Sequence, residues 1–127
     1  MENRMNLIFS FKDEAEYLSA DLSGEWDLED LKGFARAVLS RVKDSGYKRI
    51  LIDATKTNTK PDTSASFFYG EYVSTMFQGI KIALVMREEF ISGLFEDVAV
   101  NRGAFLSVFK DRPGALQWLL SSNSSKE

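Results

Sequence analysis

Neither cysteine nor histidine occurs among the 127 residues. Without cysteine there are no disulfides, and without histidine both the commonest general base and the commonest metal ligand are missing. Ser-His-Asp, Cys-His and the usual zinc chemistries are excluded, and no metal or cofactor is expected. Long apolar runs are scarce as well. The stretch at 80–86 is broken by Lys81 and falls far short of the about 20 residues that a membrane span needs. The opening MENRMNLIF has no basic segment followed by a long apolar core, so no secretory signal is expected and the cytoplasm is the expected compartment. Positive charge is not in excess either: 16 Lys and Arg against 19 Asp and Glu leave a net charge of -3, which argues against a nucleic-acid partner.

What remains is the balance of a folded, soluble protein, with 44% apolar and 28% charged residues. The length fits one domain, expected over 1–120, with SSNSSKE at 121–127 as a disordered polar tail. A short apolar run at 6–11, a polar turn and an alternating segment at 16–23, with Leu18, Ala20 and Leu22 on one face, predict a β-hairpin. Gly24 ends it. Asp27 then precedes Leu28, Leu31, Phe34, Ala35, Val38, Leu39 and Val42, the spacing of a helix capped by Asp27 and closed by Gly46.

RILIDAT at 49–55 and KIALVM at 81–86 are compact apolar runs that suit central parallel strands covered on both faces. Between them, Pro61-Asp62-Thr63-Ser64 starts a second helix, with Ala65, Phe68, Tyr69, Tyr72, Val73 and Met76 predicted to face inward. A third helix is expected from Glu88 to Gly103, then a strand at 105–109 and a last helix capped by Asp111. The order ββαβαβαβα predicts an α/β fold with a mixed, mainly parallel five-stranded sheet and four helices.

Three segments resemble the SpoIIAA-like branch of the STAS domains: LSGEWDL at 22–28 running to Leu31, RILID at 49–53, and FEDVAVNRG at 95–103 leading into the last strand and helix. The resemblance implies the STAS fold and a regulatory or protein-interaction module in a bacterium rather than an enzyme. In the antagonist members of that branch, an Asp-Ser-Ser-Gly-like turn at the start of the second helix carries the phosphorylated serine. Asp62-Thr63-Ser64-Ala65 corresponds to it, which makes Thr63 and Ser64 the candidate phosphoacceptors. The other reading of Asp62, Thr63 and Ser64 is a plain helix cap, the role that most often selects these residue types. The branch also resembles the CRAL-TRIO lipid-binding domains, so the alternative is a carrier of a small apolar ligand or lipid between helices two and three.

Candidate surface residues cluster around the second helix. Asp53 ends a predicted strand at the sheet edge where α/β proteins bind ligands, or else accepts from nearby loop N–H groups. Lys56, Lys60 and Asp62 follow it. Phe67 falls beside Glu71 and away from the predicted apolar stripe, so it is either an exposed contact residue or is tucked under the loop at 55–60. The expected partner is a protein. An exposed hairpin edge or Phe67 face would allow a homodimer. Neither a nucleophile-base pair nor a phosphate-binding GxxxxGK loop is present.

Overall fold

A computed structural model describes residues 7–121. Five strands lie in the order β1-β2-β3-β4-β5: β1 (Ile8–Asp13), β2 (Leu18–Gly24), β3 (Arg49–Thr57), β4 (Lys81–Val85) and β5 (Phe105–Phe109). The β1–β2 hairpin is antiparallel and every other pairing is parallel. Among the described residues four α-helices join them: α1 (Leu28–Ser45), α2 (Thr63–Met76), α3 (Leu94–Asn101) and α4 (Arg112–Leu119). The mixed sheet and the ββαβαβαβα order are those read from the sequence. Six of the seven residues of the predicted polar tail, 122–127, and Asn6 at the start of the first predicted strand lie outside the described residues.

Local chemistry accounts for the helix ends. Asp27 and Asp30 form a reciprocal capping box, with Asp30 N–H donating to Asp27 Oδ1 at 2.9 Å and Asp27 N–H donating to Asp30 Oδ2 at 3.0 Å. Gly46 closes α1 at φ +78°, a conformation that side chains with a Cβ rarely adopt. The third helix starts later than its apolar spacing suggested. Glu88–Phe90 form a single 3-10 turn, and α3 begins only at Leu94. The cause is Gly93, whose φ of +88° lies outside any right-handed helix and so interrupts the run.

The pleat sends alternate residues of each strand to opposite faces. On one face Leu18, Ala20, Leu22, Ile50 and Ile82 pack beneath α1, α2 and α3, together with Phe34, Val38, Val73 and Ala99. On the other face Leu51, Ala83 and Val85 meet Ala115 and Leu119 of α4. Leu18, Ile50, Leu51 and Leu119 are wholly buried, each worth about 1.5–3 kcal/mol relative to exposure. A lysine sits on the α4 side as well. Lys81 is buried, its Nζ donating to Trp118 O at 2.7 Å and Ser121 Oγ at 3.1 Å, which satisfies the C-terminal end of α4. Burial, reinforced by Arg49, lowers its pKa.

Helix α2 meets α3 through small side chains. Ser66, Gly70 and Ser74 are buried one turn apart, and a Cβ built on Gly70 would stand 2.9 Å from Val98 Cβ and 3.0 Å from Phe95 O. Gly33 of α1, by contrast, has nothing within 4 Å of such a Cβ. Gly70→Ala is therefore expected to lower stability in urea denaturation by about 1–3 kcal/mol through overpacking. Gly33→Ala should raise it by up to about 1 kcal/mol, through helix propensity alone.

Candidate functional site

The turn that enters α2 is sewn to the turn that enters α1. Asn58 N–H donates to Gly24 O at 2.9 Å, and Trp26 N–H donates to Thr59 Oγ1 at 3.1 Å. Asp62 then caps α2, its Oδ1 accepting from Ala65 N–H at 2.7 Å. Thr63 and Ser64 are the first two helical residues, both exposed. Their N–H groups belong to the first helical turn and have no partner within the helix.

Helical spacing sets Thr63 above Phe67 and Glu71, and Ser64 above Phe68 and Tyr72. Phe67 is 45% exposed and Phe68 40% exposed. The Arg102 guanidinium lies 5.8 Å from the Phe67 ring centre and pairs with Glu71 at 2.8 Å. On the other flank, Lys32 Nζ lies 5.6 Å from the Phe68 ring centre and pairs with Glu29 at 3.4 Å. Two half-exposed phenylalanines thus sit one turn below two exposed hydroxyls, with a cation from α3 on one side and a cation from α1 on the other.

Phe67 is exposed beneath Arg102, which its spacing allowed for. Phe68 is a correction, since the helical stripe was expected to turn it inward. The reason is the seating of α2 on Ser66, Gly70 and Ser74, which rotates the aromatic edge outward and buries Ser74. Tyr69 remains on the inner side. Its hydroxyl donates to Leu31 O at 2.9 Å, tying α2 to α1, and burial pushes its pKa upward with a smaller contribution from Tyr72. Lys32 and Arg102 were not among the residues read as part of this surface. The i, i+4 repeat of Ser66, Gly70 and Ser74 was the signal that could have turned Phe68 outward.

Asp53 and Lys56 do not join this surface. Strand β3 continues to Thr57, so Asp53 lies within it and faces the α4 side. Its Oδ1 accepts from Thr55 N–H at 3.0 Å and from Thr55 Oγ1 at 2.6 Å, while Oδ2 accepts from Arg112 at 3.0 Å. Arg112 also donates to Ser19 Oγ at 3.0 Å and reaches Asp21 at 3.5 Å. Asp21, Asp53, Lys56 and Arg112 line a cleft of about 360 Å³. Lys60 is exposed in the turn before α2.

Burial acts to raise the Asp53 pKa, but the Thr55 hydrogen bonds and Arg112 outweigh it and hold the pKa below 3.8. A carboxylate held below its unfolded value adds stability in full above that value and loses it as pH falls through the folded one. Asp53→Asn should therefore cost about 1–2 kcal/mol at pH 7, a modest figure because Arg112 is partly exposed and screened. Near pH 2 the difference between the two proteins in chemical denaturation should shrink toward zero.

At Gly70 helices α2 and α3 are in contact. An apolar cavity of about 110 Å³ lies between the sheet, α1 and α2, with Phe95 of α3 also on its wall, and a smaller one of about 20 Å³ is lined by Pro61 and Ser66 together with Phe90, Ile91 and Phe95.

No known family model matches the sequence, and neither does any curated protein sequence. Solved structures do match in shape. An anti-sigma factor antagonist from Mycobacterium paratuberculosis superimposes with a TM-score of 0.65 over 91% of this chain and 95% of its own, at 14% identity. An uncharacterised Shewanella loihica protein with a SpoIIAA-like fold does so with a TM-score of 0.56 over 94% of this chain and 98% of its own, at 19% identity. The two likenesses, the strand order and the helix order agree: this chain has the SpoIIAA-like fold.

Proposed function

We propose that the protein is a non-catalytic regulatory module of STAS type, a single domain that acts in the bacterial cytoplasm by binding another protein. Its working surface is the outer face of the first half of α2. The observation that carries this reading is the exposed pair Phe67 and Phe68, one helical turn below the exposed Thr63 and Ser64 and flanked by Arg102 and Lys32. Half-exposed aromatic rings supply apolar contact area, and arginine and aromatics are the residue types that dominate protein interfaces. The shape likeness to an anti-sigma factor antagonist supports a protein partner.

Phosphorylation of Thr63 or Ser64 is the switch in this proposal. A phosphate would add about two negative charges beside the free N–H groups and positive dipole end of α2. Asp62 already holds Ala65 N–H at that end. The new charge would therefore sit against the Asp62 carboxylate and over the Phe67 and Phe68 rings, repelling a partner docked on them. Asp62 keeps its role as the helix cap in both states. Asp53 and Lys56, on the far side of the sheet, take no part.

Protein isolated from its own host is expected to carry phosphate on Thr63 or Ser64, located by peptide mass spectrometry. Thr63→Ala combined with Ser64→Ala should remove that phosphate and raise the amount of partner retained, while Thr63→Glu should lower partner retention at least tenfold. Unchanged phosphorylation and partner binding in the doubly substituted protein would refute the switch. Phe67→Ala tests the surface separately, with an expected loss of partner at unchanged melting temperature.

A further inference from the structure

The cavity between the sheet, α1 and α2 is lined almost wholly by carbon. Leu22, Ile52 and Leu84 form its floor, and Ala35 of α1 and Ala65 of α2 stand on its walls. Trp26, Thr59 and Pro61 line it at the end where the two sewn turns meet. The void arises because three alanines, Ala35, Ala54 and Ala65, face it while the flanking aromatic side chains are committed elsewhere. Phe34 packs against Phe9 and Phe11, and Tyr69 is held by its bond to Leu31 O. Interiors are otherwise close-packed, and voids larger than a water molecule are few in any domain.

Three polar side chains of the wall are already engaged. Tyr69 donates to Leu31 O, Thr57 Oγ1 donates to Ala54 O at 2.9 Å, and Thr59 Oγ1 accepts from Trp26 N–H. No buried side-chain nitrogen or oxygen among the described residues lacks a partner. A guest would meet an almost wholly apolar wall with no charged side chain, and water would find few partners there. Size adds a second limit. An apolar cavity of roughly 150 Å³ takes up benzene, so about 110 Å³ matches a xenon atom or one small ring and is too small to enclose a fatty acid.

We infer that this cavity is a binding site for one uncharged, apolar molecule no larger than a single six-membered ring. The site lies under the turn that leads into α2, and it does not depend on the phosphorylation reading. It also differs from a lipid carrier, which would need a much longer chamber and a parting of α2 from α3.

Benzene is the test ligand, titrated into protein with labelled methyl groups and followed by NMR. The methyl signals of Leu22, Ile52 and Val73 should shift saturably, while those of Leu51 and Leu119 on the α4 side stay fixed. At ten times its Kd, benzene should raise the melting temperature by about 5 °C. Ala35→Leu, which fills the void, should abolish both effects. Ile52→Ala, which enlarges it, should tighten benzene binding at least threefold and so serves as a second variant if Ala35→Leu fails to fold. The proposal is overturned if the wild-type methyl signals do not move up to the solubility of benzene, if both sheet faces respond alike, or if Ile52→Ala binds no better.

Discussion

The close contact of α2 with α3 at Gly70 is the constraint on which the rest of the molecule depends. With no Cβ at that position, the helix backbone approaches Val98 and Phe95 more closely than any other residue would permit. That approach fixes the rotation of α2 about its own axis. Ser66 and Ser74 are carried inward on the same line, and Phe67 and Phe68 are left facing solvent. The same rotation aims Tyr69 at α1, where its bond to Leu31 O closes the layer. This exposed aromatic pair beside the hydroxyls of Thr63 and Ser64 is the surface proposed for contact.

The two faces of the sheet carry different work. Three helices cover one face and create both the exposed aromatic pair and the apolar cavity beneath it. The other face is covered by the short α4 alone, which is pinned at both ends by charged side chains. Arg112 at its start binds Asp53 and Ser19, and Lys81 donates to the Trp118 carbonyl near its end. An eight-residue helix has little intrinsic stability, so these ties and the burial of Ala115 and Leu119 hold it in place. The charged residues there are committed to structure, which separates Asp53 from the α2 surface.

Much of the fold was legible in the sequence because its elements carry strong local signals. Alternation at Leu18, Ala20 and Leu22, the Asp27 cap, the Gly46 stop and the compact runs of β3 and β4 each point the same way. The start of α3 was less legible, since apolar spacing continues through Ile91 while the backbone breaks at Gly93. At the candidate site, Asp62, Thr63, Ser64 and Phe67 were visible as a cap and an off-stripe aromatic. Phe68 was not. Helix α2 is apolar nearly all round, so size alone suggested that its aromatics were buried, and the small-residue line that outweighs them is set by tertiary packing. Arg102, Lys32 and the pairing of Asp53 with Arg112 depend on contacts 35 or more residues apart in most cases, which no local pattern encodes. The cavity is likewise a property of how α1 and α2 meet the sheet.

Hydroxyl-radical footprinting, run on the purified protein and again inside host cells, is the most direct measure of whether the outer face of α2 is a contact surface. The expected pattern is fast oxidation of Phe67 and Phe68 in the purified protein, slow oxidation of buried Phe34 in both settings, and strong protection of Phe67 and Phe68 in the cell. Equal reactivity of Phe67 and Phe68 in the two settings would contradict a partner on that face. Slow oxidation of both rings in the purified protein would contradict the Gly70-determined orientation itself.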